Sequence, residues 1–87
     1  MATFQREATT YNKLRDNLKD VILDEQKQFS SQATKEIYIQ MNTVSSIIDK
    51  TNLDKALKEL AETPDAVKAN RIVIYNKEGN LITFWSG

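Results

Sequence analysis

The chain has 87 residues, of which 40% are hydrophobic and 28% are charged, so it has the size and composition of one small globular domain. Twelve Lys and Arg residues balance twelve Asp and Glu residues, and this zero net charge argues against a dedicated nucleic-acid-binding protein. The lack of Cys and His excludes disulfides, zinc fingers, thiol nucleophiles and imidazole catalysis. We therefore expect a protein that is not an enzyme, with no catalytic residue, no metal site and no cofactor.

The first 50 residues contain neither Gly nor Pro, and their apolar residues recur at three- and four-residue steps. This period predicts one long helix over residues 4–50, which would measure about 65 Å if it were continuous. A helical hairpin bent at Ser30-Ser31 would bury the same stripe, so the long helix, straight or bent near Ser30, and the hairpin are both compatible with the pattern. The stripe consists of Tyr11, Leu14, Leu18, Val21, Ile22, Phe29, Ala33, Ile37, Met41, Val44 and Ile48.

A helix of that length could not be covered by the residues that follow it, and helices in proteins depend on burial of their apolar face. The pattern therefore predicts a homodimer along the stripe. Its expected packing residues are Leu14, Leu18, Ile22, Ile37, Val44 and Ile48.

Short helices are expected over residues 52–69. Thr51-Asn52-Leu53-Asp54 provides capping side chains before an amphipathic segment, so a second helix should begin at Asn52. Thr63-Pro64-Asp65 places a capping hydroxyl before a proline, which permits one further turn.

The C-terminal residues 71–86 predict a β-hairpin. β-Branched and aromatic residues are concentrated in Ile72-Val73-Ile74-Tyr75 and in Leu81-Ile82-Thr83-Phe84-Trp85. Asn76 can open the turn between them, and Gly79 can adopt a positive φ after it. The expected fold class is therefore α+β, with a long N-terminal helix, one or two short helices and a C-terminal β-hairpin in a single domain or domain fragment.

Two groups of side chains could carry chemistry. Arg71, Tyr75 and Trp85 bring one cation and two aromatic rings to the hairpin, where they could bind a small ligand or a protein partner, although aromatic residues on a half-buried sheet are usually structural. Asp16, Asp20 and Asp24 fall on one helix face, but cations are interleaved with them, which favours an ion-paired surface over a metal site.

The order of these segments resembles the start of a Cache/PAS-like extracytoplasmic sensor domain of bacterial chemoreceptors and sensor kinases. The resemblance depends on the long Gly- and Pro-free helix, on the short helix and on the strand-turn-strand segment that contains Tyr75-Asn76-Lys77-Glu78-Gly79-Asn80. It implies a dimerising helix that continues from a membrane helix, followed by strands of a ligand-binding sheet. Such a domain needs about five strands, so the resemblance implies part of a sensor, and no ligand residue is carried over.

Two functions follow as hypotheses. The first is the signal-sensing region of a bacterial membrane receptor, which would be extracytoplasmic. The second is a small autonomous interaction or inhibitor protein, such as a phage or accessory factor, which would be cytoplasmic and act by occluding a partner. No apolar run of this chain reaches the ~20 residues that span a membrane, so attachment to a membrane would need a segment absent from this chain.

Overall fold

The computed structural model describes residues 1–29 and 35–87 of the chain. These residues form a small α+β domain with two helices and a four-stranded mixed sheet. In chain order, the elements are β1 (Ala2–Phe4), α1 (Tyr11–Gln26), β2 (Glu36–Met41), α2 (Lys50–Glu62), β3 (Arg71–Tyr75) and β4 (Leu81–Ser86). Neither helix combines the length and the apolarity that crossing a membrane requires.

The strands lie in the order β1-β2-β3-β4 across the sheet. The first three are parallel, and β4 is antiparallel to β3. Parallel neighbours need a crossover connection, and here α2 forms the crossover between β2 and β3. Ile37 and Ile39 of β2 are in register with Ile72 and Ile74 of β3, and all four belong to the core cluster that also contains the buried faces of both helices. The helices therefore cover one face of the sheet.

The predicted long helix over residues 4–50 is wrong. Helix α1 ends at Gln26, and Glu36–Met41 forms a strand in the middle of the sheet. The four-residue step from Ile37 to Met41 fits one turn of a helix, but it also equals two repeats of a strand. Ile39, which lies between them and outside the helical stripe, is fully buried, and this alternation is that of a strand. The expected bend or hairpin at Ser30-Ser31 falls outside the described residues.

Helix α1 follows the apolar period of its part of the stripe. The Thr10 side chain caps it by accepting a hydrogen bond from the Lys13 N–H at 3.2 Å. Its buried residues are Leu14, Leu18, Val21 and Ile22.

Helix α2 begins two residues before the predicted start. Asp49 is the N-cap, and its carboxylate accepts a hydrogen bond from the Asn52 N–H at 2.8 Å. The helix buries Leu53, Ala56, Leu57 and Leu60 and ends at Glu62. The further helical turn expected after Pro64 does not form, because Asp65 adopts a left-handed φ of 62° that interrupts a right-handed helix.

Strands β3 and β4 are joined by the turn that the sequence predicts. The Asn76 side chain accepts hydrogen bonds from the N–H groups of Glu78 and Asn80 at 3.0 and 2.8 Å, and Gly79 has a φ of +87°. The pair is not an isolated hairpin, however, because β3 also pairs with β2 along its other edge. The apolar residues Ile72, Val73 and Ile74 of β3 are thus buried within the chain itself.

Candidate interaction surface on the sheet

The face of the sheet that points away from both helices carries a row of apolar side chains. Tyr38 of β2 is in register with Val73 of β3, which is in register with Phe84 of β4. No helix of the described residues covers this row, and Tyr38 and Phe84 remain 37% and 55% exposed. Val73 is only 3% exposed, because the larger side chains beside it shield it. We call this row and the neighbouring row of Glu36 and Arg71 the open face.

The charged groups of the open face are balanced. The Arg71 guanidinium lies 5.7 Å from the centre of the Phe84 ring, at a cation–π distance. Arg71 is also the register partner of Glu36 across the β2–β3 pair. The Tyr38 hydroxyl donates a hydrogen bond to the Glu36 carboxylate at 3.1 Å, and this bond raises the pKa of Tyr38. The open face therefore combines exposed aromatic rings with one cation and one anion at neighbouring register positions.

A concave surface lies between β4 and α2, and we call it the β4 groove. Its volume is about 380 Å³, and its apolar walls include Leu57 and Trp85. The Thr83 hydroxyl donates a hydrogen bond to Asp54, and the Lys50 ammonium lies 2.6 Å from the same carboxylate. These two contacts, with Lys50 the stronger, lower the pKa of Asp54. The polar side chains Lys50 and Thr83 thus both contact the Asp54 carboxylate.

The three predicted ligand residues do not form one site. Arg71 and Tyr75 lie on the open-face side of β3, since alternate residues of a strand share a face. Trp85 is in register with Ile72 and packs partly against the core on the opposite side. The sequence could not place Trp85, because the side on which it points depends on the register between β3 and β4.

The six predicted dimer-packing residues do not share one helix face. Leu14, Leu18 and Ile22 lie in the buried face of α1, and Ile37 lies in β2, so these four residues fill the core of the monomer. Val44 is 84% exposed in the connection between β2 and α2, where Ile48 is partly buried.

The acidic row of α1 is occupied by ion pairs. The Arg6 guanidinium lies 3.2 Å from Asp20 and 3.8 Å from Asp24, and Arg15 lies 3.1 Å from Asp16. Across residues 1–29 and 35–87, no three acidic side chains are arranged to hold a metal ion.

No family model, curated protein or solved structure matches this chain. Neither Tyr38 nor Phe84 is among the ligand-binding or dimer-packing residues predicted from the sequence. The alternation of Glu36–Met41, with Ile37, Ile39 and Met41 at every second position, is the signal that could have placed Tyr38 on an exposed sheet face.

Proposed function

We propose that this protein is a small non-catalytic interaction module that binds another protein on the open face of its sheet and occludes the bound surface. The observation that carries the proposal is the row of Tyr38, Val73 and Phe84, which crosses three strands with its aromatic rings exposed. Arg71 extends this row. Aromatic residues and Arg are the residue types most enriched at the energetic centres of protein interfaces.

The charge of the open face favours a protein over a nucleic acid. Binding to a phosphate backbone requires an excess of cations, whereas Glu36 lies next to Arg71 here and the whole chain has no net charge. An aromatic row with balanced charges suits a partner surface that is mainly apolar.

The sensor-domain hypothesis loses the feature that motivated it. It needed a long helix that continues outward from a membrane helix, and α1 ends at Gln26. The resemblance to Cache/PAS-like domains itself remains a prediction. Of the two hypotheses, we therefore propose the autonomous interaction protein.

Photocrosslinking in the source cells would test the proposal. A benzophenone amino acid replaces Tyr38 in one variant and Asn12, an exposed residue of α1, in a control variant. We expect the first variant to give a discrete covalent adduct with one partner protein and the control to give none. Adding Arg71→Ala should lower the yield of that adduct strongly, because hot-spot residues contribute about 2 kcal/mol or more.

Two results would contradict the proposal. The first is an equal set of adducts from both positions, which would mean that the open face has no preferred partner. The second is an adduct of position 38 with nucleic acid alone. Position 38 lies on β2, in the interior of the sheet and two strands away from β4. An adduct at this position therefore reports on binding to the open face and not on binding to the edge of the sheet at β4.

A further inference from the structure

From Thr83 to Ser86, the outer edge of β4 carries none of the charges, prolines or bulges that usually protect an edge strand. Leu81–Ser86 contains six residues with no charge and no proline, and no strand of the described residues lies beyond it. The opposite edge is different, because β1 has only three residues. A β-bulge occurs at Ile74/Tyr75, near the start of β4, and leaves the pairing of Thr83 to Ser86 regular.

The hydrogen-bonding pattern between β3 and β4 shows which backbone groups of β4 point away from the sheet. The Gly87 N–H donates to the Asn70 carbonyl at 3.0 Å, just beyond the register pair of Arg71 and Ser86. In an antiparallel ladder, hydrogen-bonded pairs alternate with non-bonded pairs, so Trp85 and Thr83 direct their N–H and C=O groups towards β3. The backbone groups of Phe84 and Ser86 consequently point away from the sheet, where another strand could bond to them.

Helix α2 lies along this edge. Its charges would meet opposite charges if a second copy of the helix lay antiparallel to it. Lys50, Asp54, Lys58 and Glu62 follow one another at four-residue steps with alternating sign, and all retain exposed surface. When two copies of such a stripe lie antiparallel, Lys50 comes opposite Glu62 of the second copy and Asp54 comes opposite Lys58. The centre of this arrangement is the turn that holds Ala56.

Ala56, the midpoint of the charged row on α2, lies at the same level along the sheet edge as Phe84 of β4. Helix α2 runs in the direction of β4, since Lys50 borders Leu81 in the β4 groove and the chain after α2 leads to Asn70, which bonds to Gly87. Asp54 accepts the hydrogen bond of Thr83. Ala56 lies two residues after Asp54, a rise of ~3 Å along the helix. Phe84 lies one residue after Thr83, a rise of ~3.3 Å along the strand. One two-fold axis near Phe84 thus fits both elements.

We propose that a second copy of this chain pairs with the outer edge of β4 in antiparallel orientation. Phe84 lies opposite Phe84 of the second copy, and the two sheets form one continuous sheet of eight strands. The α2 stripes face each other with opposite charges in contact, and the β4 groove is closed. The dimer also joins the two open faces into one surface, but it does not depend on the partner proposed above.

The mass of the protein in solution tests the edge pairing directly. Sedimentation velocity from low micromolar to submillimolar concentration should show a monomer–dimer equilibrium for the wild type. Ser86→Pro should abolish the dimer and keep the fold, because the Ser86 N–H makes no bond to β3 and proline is tolerated at such edge positions. Circular dichroism and the melting temperature of the variant report whether the fold is kept.

Charge exchange on α2 tests the orientation without altering the strand. Lys50→Glu and Glu62→Lys should each weaken self-association roughly tenfold, since each change replaces two attractive contacts by two repulsive ones. An equimolar mixture of the two variants should form a heterodimer, in which the opposite charges meet again. Lys19→Glu on α1 makes the same change of charge away from the edge and should leave the dimer unchanged.

Three outcomes would overturn the inference. A wild type that stays monomeric at the highest concentration would exclude the dimer. A folded Ser86→Pro variant that still dimerises would move the contact to another surface. If the Ser86→Pro variant does not fold, the mixture of Lys50→Glu and Glu62→Lys provides the test. An affinity in the mixture no higher than that of either variant alone would exclude the antiparallel arrangement.

Discussion

The Tyr11 hydroxyl donates a hydrogen bond of 2.5 Å to the Glu59 carboxylate and so connects the first turn of α1 to the last part of α2. Arg15 approaches the same carboxylate at 3.4 Å, and the Lys55 ammonium lies 4.5 Å from the centre of the Tyr11 ring. The hydrogen bond from Tyr11 is the main reason that the pKa of Glu59 is lowered. The two helices are therefore joined at their margin by a polar contact as well as by their apolar faces.

Tyr11→Phe should destabilise the protein by about 1 kcal/mol, because it removes this hydrogen bond and keeps the ring. Urea denaturation followed by circular dichroism measures the difference. The matched control is Tyr38→Phe, which removes a hydrogen bond to Glu36 on the exposed open face and should cost less. Equal losses of unfolding free energy in the two variants would show that the Tyr11–Glu59 hydrogen bond stabilises the fold no more than an exposed hydrogen bond does.

The same tyrosine should make the protein sensitive to alkaline pH. Partial burial, followed by the hydrogen bond to Glu59, raises the pKa of Tyr11 from 10.0 to about 12. Because the folded state favours the neutral phenol, the contribution of Tyr11 to stability is complete below pH 10 and is lost as the pH rises towards 12. The melting temperature should therefore fall over this range in the wild type and fall less in Tyr11→Phe. Parallel curves for the two proteins would contradict the assignment to Tyr11.

The turn between β3 and β4 should tolerate asparagine at position 79 better than valine. Gly79 has a φ of +87°, and no atom lies within 4 Å of the place where a Cβ would be. The cost of a substitution is therefore conformational, and Gly79→Val should lose about 1 kcal/mol or more. Gly79→Asn should lose less, since asparagine enters the left-handed region more readily. The prediction fails if thermal denaturation gives the two variants the same stability.

A pair of core and surface substitutions separates the observed fold from a long helix. Ile37 is 2% exposed in β2 and Val44 is 84% exposed, although both belong to the same apolar stripe in the sequence. Ile37→Asp should prevent folding, because it buries an unpaired carboxylate, whereas Val44→Asp should change the stability by less than about 0.5 kcal/mol. If both variants unfolded, the stripe would be buried along its whole length.

Much of the local structure could be predicted from the sequence. The period of Leu14, Leu18 and Ile22 predicts that this segment is helical, since a helix is formed by contacts within a few residues of each other, but the prediction located neither the start nor the end of α1. The β-branched residues of β3 and the Asn76–Gly79 turn suffice for the β3–β4 pair. The side chains of α2 also predict its buried face. These features are local, and the sequence determined them by itself.

Only the tertiary structure decided the state of Glu36–Met41 and the composition of the candidate surface. The spacing of Ile37 and Met41 fits either a helix or a strand, and the strand prevails because β1 and β3, both distant along the chain, pair with its two edges. The same pairings bring Tyr38, Val73 and Phe84 into one row and turn Trp85 to the other face. A shift of one residue in register would exchange the faces of a whole strand, so the surface that we propose to bind a partner depends on non-local hydrogen bonds that no local pattern specifies.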